Sequence, residues 1–553
     1  MRPRQTLLCA AALAPIAHAL WPLPTRIQTG STPLRLSAAF AIRVAVPHAP
    51  ADLQAAVKRT ESYLWTDNLG RLVPDRGASD AAAVSRAREL TTLTVALRAG
   101  AGVASVSEEA IKDLEARDDA YALAIPAGGG TATLTANTTL GLFRGLTTFG
   151  QLWYTVDGMV YTLEAPIAIQ DAPEFPYRGL LLDTSRHFFP VSDIERTLDA
   201  MSWAKMNQLH WHVVDSQSFP LEIPGFTEVS RKGAYDASSV YGPSDVAHIV
   251  SYAAARGIDV LAEIDTPGHT AIISESHPEH VACPQAAPWA DFANEPPAGQ
   301  LRLASPATRN FTRGLIAAAA RMFPSALFST GGDEVNVNCY ETDGPTRDEL
   351  EAAGRTLEQA LSAFVVNNHR ALEELGKTPV VWEEMVLDFN VTLSNETVVM
   401  VWISSENAAA IVRKGYRLVH APSDYFYLDC GAGEWLGSDP EANSWCDPFK
   451  TWQRAYTFDP FANLTAEEQK LVLGGQQLLW TEQSSPANLD SIVWPRAAAS
   501  AELFWSGPSR TNVTGALARL HELAFRMRRR GVGAIALQPT WCALRPFACD
   551  LTA

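Results

Sequence analysis

The sequence predicts an α/β fold, a (β/α)8 barrel preceded by a small α+β domain. Three observations carry the prediction. From Tyr177 onward, short apolar runs alternate eight times with longer helical patterns. Before Asp171 the rhythm differs, with strand-like alternation on either side of Gly128-Gly129-Gly130. The ends of the predicted barrel strands carry acids and large aromatics almost without exception, and the C-terminal strand ends are where such a barrel presents functional side chains.

In chain order, Arg2 and Arg4, the apolar run Leu7 to Ile16 and Ala17-His18-Ala19 read as a secretory signal peptide over residues 1–19. Residues 20–173 form the expected α+β domain, which includes a segment that could be processed as a propeptide. Its helices are expected near 51–64 and 140–154, and its hairpin from Tyr121 to Pro126 and Thr131 to Thr135. The Pro-rich connector Asp171 to Pro176 closes it. The barrel occupies 174–553, with strands at Gly179–Leu182, Gln208–Val214, Asp259–Ile264, Ala326–Thr330, Pro379–Trp382, Val398–Trp402, Arg417–His420 and Gln476–Trp480. Ser192 with Glu195 and Thr465 with Glu468 read as capping boxes, and Ser305-Pro306 as a helix start. Gly257, Gly415 and Gly474 read as helix ends.

The chain has 553 residues, 47% hydrophobic and 19% charged, with a formal net charge of −17. Such a chain repels phosphate backbones and anionic lipid, which argues against nucleic-acid and membrane partners. Removal of Cys9 with the leader leaves an even number of cysteines from the total of seven, as expected of an oxidised, extracellular protein. Proximity pairs Cys542 with Cys549 and Cys430 with Cys446, which leaves Cys283 for Cys339, although spacing alone does not fix connectivity. The N-x-T sequons at Asn137, Asn310, Asn390, Asn395, Asn463 and Asn512 agree with export.

The strand ends read Asp183, Asp215, Asp265 with His269, Asp333 with Glu334, Trp382 with Glu383, Trp402, Tyr427 with Asp429, and Trp480 with Glu482. Carboxylates interleaved with Trp and Tyr suit carbohydrate, because aromatic faces stack on pyranose C–H faces and acids bond hydroxyls. No metal-ligand cluster stands out, and neither metal nor cofactor is expected. The sharpest motif is Gly331-Gly332-Asp333-Glu334-Val335. Adjacent acids leave the chain in different directions, so they cannot flank one glycosidic bond as an acid and nucleophile pair. A 2-acetamido oxygen on the substrate can supply the nucleophile instead. Glu334 then suits the general acid, and Asp333 suits orienting the acetamido N–H.

With Arg178 to His187, Lys205 to His212, Asp215 to Pro220, Asp265 to Thr270, Trp382-Glu383-Glu384 and Tyr427 to Asp429, the chain resembles glycoside hydrolase family 20, the β-N-acetylhexosaminidases, in particular secreted fungal members. The resemblance runs from about residue 120 to the C-terminus. It implies an exo-acting, retaining enzyme that acts on oligosaccharides or glycoconjugates ending in β-N-acetylhexosamine, and it admits a homodimer. It also implies roles. Arg178 would hold ring hydroxyls, Asp429 and Glu482 outer hydroxyls, and Trp382, Trp402 and Trp480 would wall the pocket. Tyr427 would hold the acetamido carbonyl, and Asp215 with His269 would form a relay to Glu334. One departure is Ser329, where many relatives carry His.

Some residues carry a plainer reading. His210 and His212 fit hydrogen-bonded core positions better than metal ligands. Asp183 and Arg186 fit an ion pair under the pocket as well as a substrate contact. Arg526 and Arg528-Arg529-Arg530 fit a solvated helix C-terminus. A decayed, non-catalytic sugar-binding barrel would be expected to lose the acid, yet Asp333, Glu334 and Tyr427 are all present.

Overall fold

A computed structural model describes residues 20–389 and 391–552. The expected leader, with Cys9, and the sequon at Asn390 lie outside the described residues.

The N-terminal unit is a six-stranded mixed sheet, β1 (Arg26–Val44), β2 (Arg88–Leu97), β3 (Tyr121–Ile125), β4 (Gly130–Ala136), β5 (Tyr154–Val156) and β6 (Met159–Asp171), in the order β1-β2-β4-β3-β6-β5. The expected hairpin forms as antiparallel β3 and β4, with Tyr121 opposite Ala136. Alternate residues of these strands point inward, so Leu123, Leu134 and Ile169 pack with Leu53, Val57, Leu142 and Phe149 from the helices Ala51–Thr66 and Thr139–Gln151.

Eight parallel strands close the barrel: β7 (Tyr177–Asp183), β8 (Gln208–Val214), β9 (Asp259–Ile264), β10 (Leu327–Ser329), β11 (Thr378–Trp382), β12 (Val398–Val401), β13 (Arg417–His420) and β14 (Val472–Leu479). They read as unbroken apolar runs because helices cover their outer faces and side chains fill the interior. Closure pairs β14 with β7, where Gly474 lies opposite Tyr177. Gly474 therefore does not end a helix. It sits inside a strand at φ 138°, where a Cβ would come within 1.9 Å of the Tyr177 carbonyl oxygen.

Other punctuation is mixed. Gly257 and Gly415 do follow helices, at φ 71° and 87°, and Thr465 and Glu468 exchange the two bonds of a capping box. Ser192 does not cap. Pro190 occupies the N-cap position and the helix Val191–Trp203 starts two residues earlier than expected, so Glu195 is free to pair with His248 at 2.7 Å.

Buried ion pairs lock the two units together. Asp119 receives Arg144 at 2.7 Å and Arg178 at 3.3 Å, while Lys205 reaches Asp171 at 2.8 Å. The basic run near the C-terminus is only partly solvated. Arg528 and Arg529 are exposed, but Arg526 is buried and donates to the carbonyls of Gln151 and Trp153, and Arg530 grips Asp67 at 2.7 Å. The disulfides are Cys283–Cys339, Cys430–Cys446 and Cys542–Cys549. Among the described residues no helix is long and apolar enough to cross a membrane.

Candidate active site

The loop after β10 forces two acids into the barrel mouth. Gly331 and Gly332 adopt φ 64° and 105°, and a Cβ on either would meet Asp265 Oδ1 at 1.9 Å or Met385 Cγ at 2.7 Å. Only glycine fits both the conformation and the space. Glu334 follows at φ 56°, and His269 across the cleft stands at φ 53°. Two non-glycine residues held in the left-handed region at one site mark strain tolerated for side-chain placement.

A chain of groups leads to Glu334. Asp215, just past β8, faces His269 Nδ1 at 3.1 Å, and His269 Nε2 lies 3.4 Å from Glu334 Oε2. Asp215 also pairs with Arg186 at 3.0 Å and with His212 Nε2 at 2.8 Å. Burial alone would raise its pKa, but Arg186 and the imidazoles hold it well below the usual carboxylate range. Burial opposes charge on His269 as well, yet Asp215 and Asp333 keep it cationic far above its ordinary pKa. In the free protein Glu334 is not the high-pKa acid that a general-acid role suggests. Burial pushes it up, but its bond to His269 and the imidazolium charge outweigh that and hold it low. Of the two facing groups, His269 is therefore the one held protonated and Glu334 the one held ionised.

Asp333 sits differently. Asp265 accepts from Gly332 N–H at 2.7 Å and stands in one cluster with Asp333 and His269. Burial raises both carboxyls, and the neighbouring Asp333 pushes Asp265 far above the usual carboxylate range. Behind them Glu384, pushed up to about 9 by burial and by Asp333, accepts from Trp402 Nε1 at 2.8 Å and from the Glu334 backbone N–H at 3.4 Å.

A cavity of about 400 Å³ opens between these groups, within the size range of small-ligand sites. Trp402 and Tyr427 lie nearly parallel at 6.4 Å and Trp480 stands 6.3 Å from Tyr427, all three lining the cavity with Asp429 and Glu482. Burial raises Asp429 to about 7 and Glu482 well above its usual value. Trp382 stacks one layer lower, between Trp480 at 6.2 Å and His210 at 5.8 Å.

Arg178 is not in this cavity. It lies at the start of β7, the opposite end of the strand, with no exposed surface, bonded to Asp119 and to the carbonyls of Phe175 and Lys205. The arginine in the cleft is Arg186, past the C-terminal end of the same strand, where it meets Asp183, Asp215 and Glu295 and lies 5.2 Å from the Trp480 ring centre. His210 and His212 are buried and hydrogen-bonded as expected, His210 to Glu263 at 3.1 Å. His212 also lines the cleft, and Glu263 and Asp215 overcome its burial to push it up to about 10. Ser329 donates to Glu263, so the position where relatives carry His still joins this network. Asn294, Glu295, Glu434, Trp435 and Trp445 complete the lining from irregular loops and carry no sequence period.

The relay makes a signed prediction. Asp215→Asn removes the charge that holds His269 protonated, so burial lowers the His269 pKa. The alkaline limb of kcat/KM on a disaccharide should move to lower pH, and an unmoved or alkaline-shifted limb would contradict the relay.

The chain is similar to proteins of known family along most of its length. The profile described as glycosyl hydrolase family 20, catalytic domain, matches residues 175–508, and one described as beta-acetyl hexosaminidase like matches residues 20–152. A beta-hexosaminidase of Arthroderma benhamiae is 37% identical over 456 residues, covering 78% of this chain and 74% of that protein. A chitooligosaccharidolytic beta-N-acetylglucosaminidase of Bombyx mori is 34% identical over 453 residues, 78% of this chain and 75% of that one. The X-ray structure of Flavobacterium johnsoniae chitobiase superposes with a TM-score of 0.73 at 25% identity, covering 94% of this chain and 73% of that chain. The chain belongs to glycosyl hydrolase family 20 and is a glycosidase, a β-N-acetylhexosaminidase.

Proposed function

We propose that the protein is a secreted, exo-acting, retaining hydrolase that removes terminal non-reducing β-linked N-acetylglucosamine or N-acetylgalactosamine, with the substrate's own acetamido oxygen as nucleophile. The observation that carries this reading is the pair Asp333–Glu334. The two acids leave one turn toward different neighbours, Glu334 toward His269 at 3.4 Å and Asp333 toward Asp265.

In the first step His269 passes its proton to Glu334, which gives it to the glycosidic oxygen as that bond breaks. The acetamido oxygen bonds to the anomeric carbon and closes an oxazolinium ring. Asp333 accepts from the acetamido N–H and balances its growing charge, and Tyr427 aims the carbonyl oxygen. In the second step Glu334 takes a proton from water and returns it to His269, the hydroxide attacks the anomeric carbon from the opposite face, and the acetamido group is restored. Two inversions leave the β configuration. Arg186, Asp429 and Glu482 hold the hydroxyls of the terminal sugar, with Trp402 and Trp480 against its faces.

Export is supported by the leader-like N-terminus, the paired cysteines and the exposed asparagines of five sequons, Asn137, Asn310, Asn395, Asn463 and Asn512. The chitooligosaccharide named for the Bombyx mori relative is the natural substrate we favour.

A chromogenic β-N-acetylglucosaminide should be cleaved. A cyclic thiazoline that mimics the oxazolinium should inhibit at least about 10²-fold more tightly than the free sugar product, as expected of a mimic of a charged intermediate. A thiazoline that binds no better than the product would overturn acetamido participation.

A further inference from the structure

The cleft holds far more acid than base. Eight carboxyl groups line it against one guanidinium and two imidazoles. Burial holds Asp265, Asp429 and Glu482 up, Asp215, Glu295 and Glu334 face Arg186 or His269, and Glu434 has no ion-pair partner among the described residues. The guanidinium is already engaged, since Arg186 contacts Asp183, Asp215 and Glu295. A positive group entering beside Glu434 gains, and an anionic one finds no unengaged cation among the described lining residues.

The outer part of the lining shows where such a charge would sit. Residues 430–446 form a loop closed by Cys430–Cys446, directly after Asp429. It carries Trp445, 65% exposed, whose ring stands edge-on to both Trp402 at 5.7 Å and Tyr427 at 5.8 Å. It also carries Trp435, 39% exposed. Next to Trp435 in the chain is Glu434, whose Oε1 accepts from the backbone N–H groups of Trp435 at 2.8 Å and Leu436 at 3.0 Å. Those two bonds engage only Oε1 of a carboxylate that belongs to the cleft lining. An exposed aromatic face beside a fixed carboxylate suits a second sugar ring that bears an ammonium group.

We propose that the leaving-side sugar the enzyme prefers is a glucosamine with a free amine, so that its favoured substrates are partly deacetylated chitin oligosaccharides ending in N-acetylglucosamine. This rests on the cleft being the site where terminal N-acetylglucosamine is removed. Trp445 and Trp435 receive the leaving ring, and Glu434 Oε2 pairs with its ammonium group.

The test compares kcat/KM for GlcNAc-β1,4-GlcN with that for GlcNAc-β1,4-GlcNAc below the pKa of the amine. At low ionic strength the first should be favoured about five-fold, the scale of one partly exposed ion pair. The ratio should fall toward one near about 1 M salt, where the Debye length is about 3 Å. Glu434→Gln, which keeps the Oε1 acceptor, should bring the ratio close to one at low salt, whereas Trp445→Ala should slow both disaccharides together. Equal rates in the wild-type protein, a salt-independent ratio, or a preference that survives Glu434→Gln overturns the proposal. Failure of the underlying reading looks different, because neither disaccharide nor a nitrophenyl N-acetylglucosaminide would then be cleaved.

Discussion

Asp333→Asn should lower kcat about 10²–10⁴-fold for every leaving group, as loss of a charge aimed at a developing cation does elsewhere. The loss follows from what Asp333 meets. In the free protein its neighbour is Asp265, whose carboxyl is held far above the usual carboxylate range, and when substrate binds the acetamido N–H becomes a donor to Asp333. As the acetamido oxygen bonds to the anomeric carbon, that nitrogen gains positive character and the carboxylate gains attraction. An amide at position 333 loses the attraction and can turn its own N–H toward the substrate's. Acetamido participation is common to nitrophenyl and sugar leaving groups, so rates with both should fall together. Near-normal activity in this variant, measured with both substrates, would show that Asp333 does not act on the acetamido group.

Glu334→Gln should separate the same two substrates. A nitrophenol departs without a proton, so its release should fall modestly, whereas a sugar alkoxide must be protonated and its release should fall about 10²–10⁴-fold, the range of general-acid contributions. The low pKa of Glu334 in the free protein does not conflict with this role. The Asp215–His269–Glu334 chain holds a proton on His269, and moving it 3.4 Å to Glu334 requires no proton from solvent. Glutamine at 334 ends that transfer. Equal losses for both leaving groups would assign the proton to a different residue.

The barrel is legible in the sequence because its strands are buried on both faces, so runs such as Val398–Val401 stand out between helical patterns. The acid and aromatic strand ends are legible for the same reason, each marking where an apolar run stops. Two kinds of residue are not. Arg178 and Arg186 occur in one continuous motif, and only strand direction separates them. The first lies at the start of β7 and faces Asp119 in the domain interface, while the second follows β7 and faces the cleft. The rule that function lies at C-terminal strand ends favours Arg186, but similarity along the motif drew the role to Arg178. Asn294, Glu295, Trp435 and Trp445 lie on loops, whose path is set by the disulfides Cys283–Cys339 and Cys430–Cys446 and by contacts far away in sequence, and no local period marks them. Arg526 misleads for a related reason. A helix C-terminus rich in arginine looks solvated until the end of the helix Thr139–Gln151 and the turn after it pack against it and offer the carbonyls of Gln151 and Trp153.

The central claim, that the substrate's acetamido oxygen is the nucleophile, is tested most directly by the anomeric form of the first product. Proton NMR of the hydrolysis, recorded before mutarotation mixes the anomers, should show β-N-acetylglucosamine appearing first, because the oxazolinium forms on one face and water opens it from the other. An initial α product would require direct attack by water in a single inversion, and it would contradict the roles assigned to Asp333, Glu334 and Tyr427.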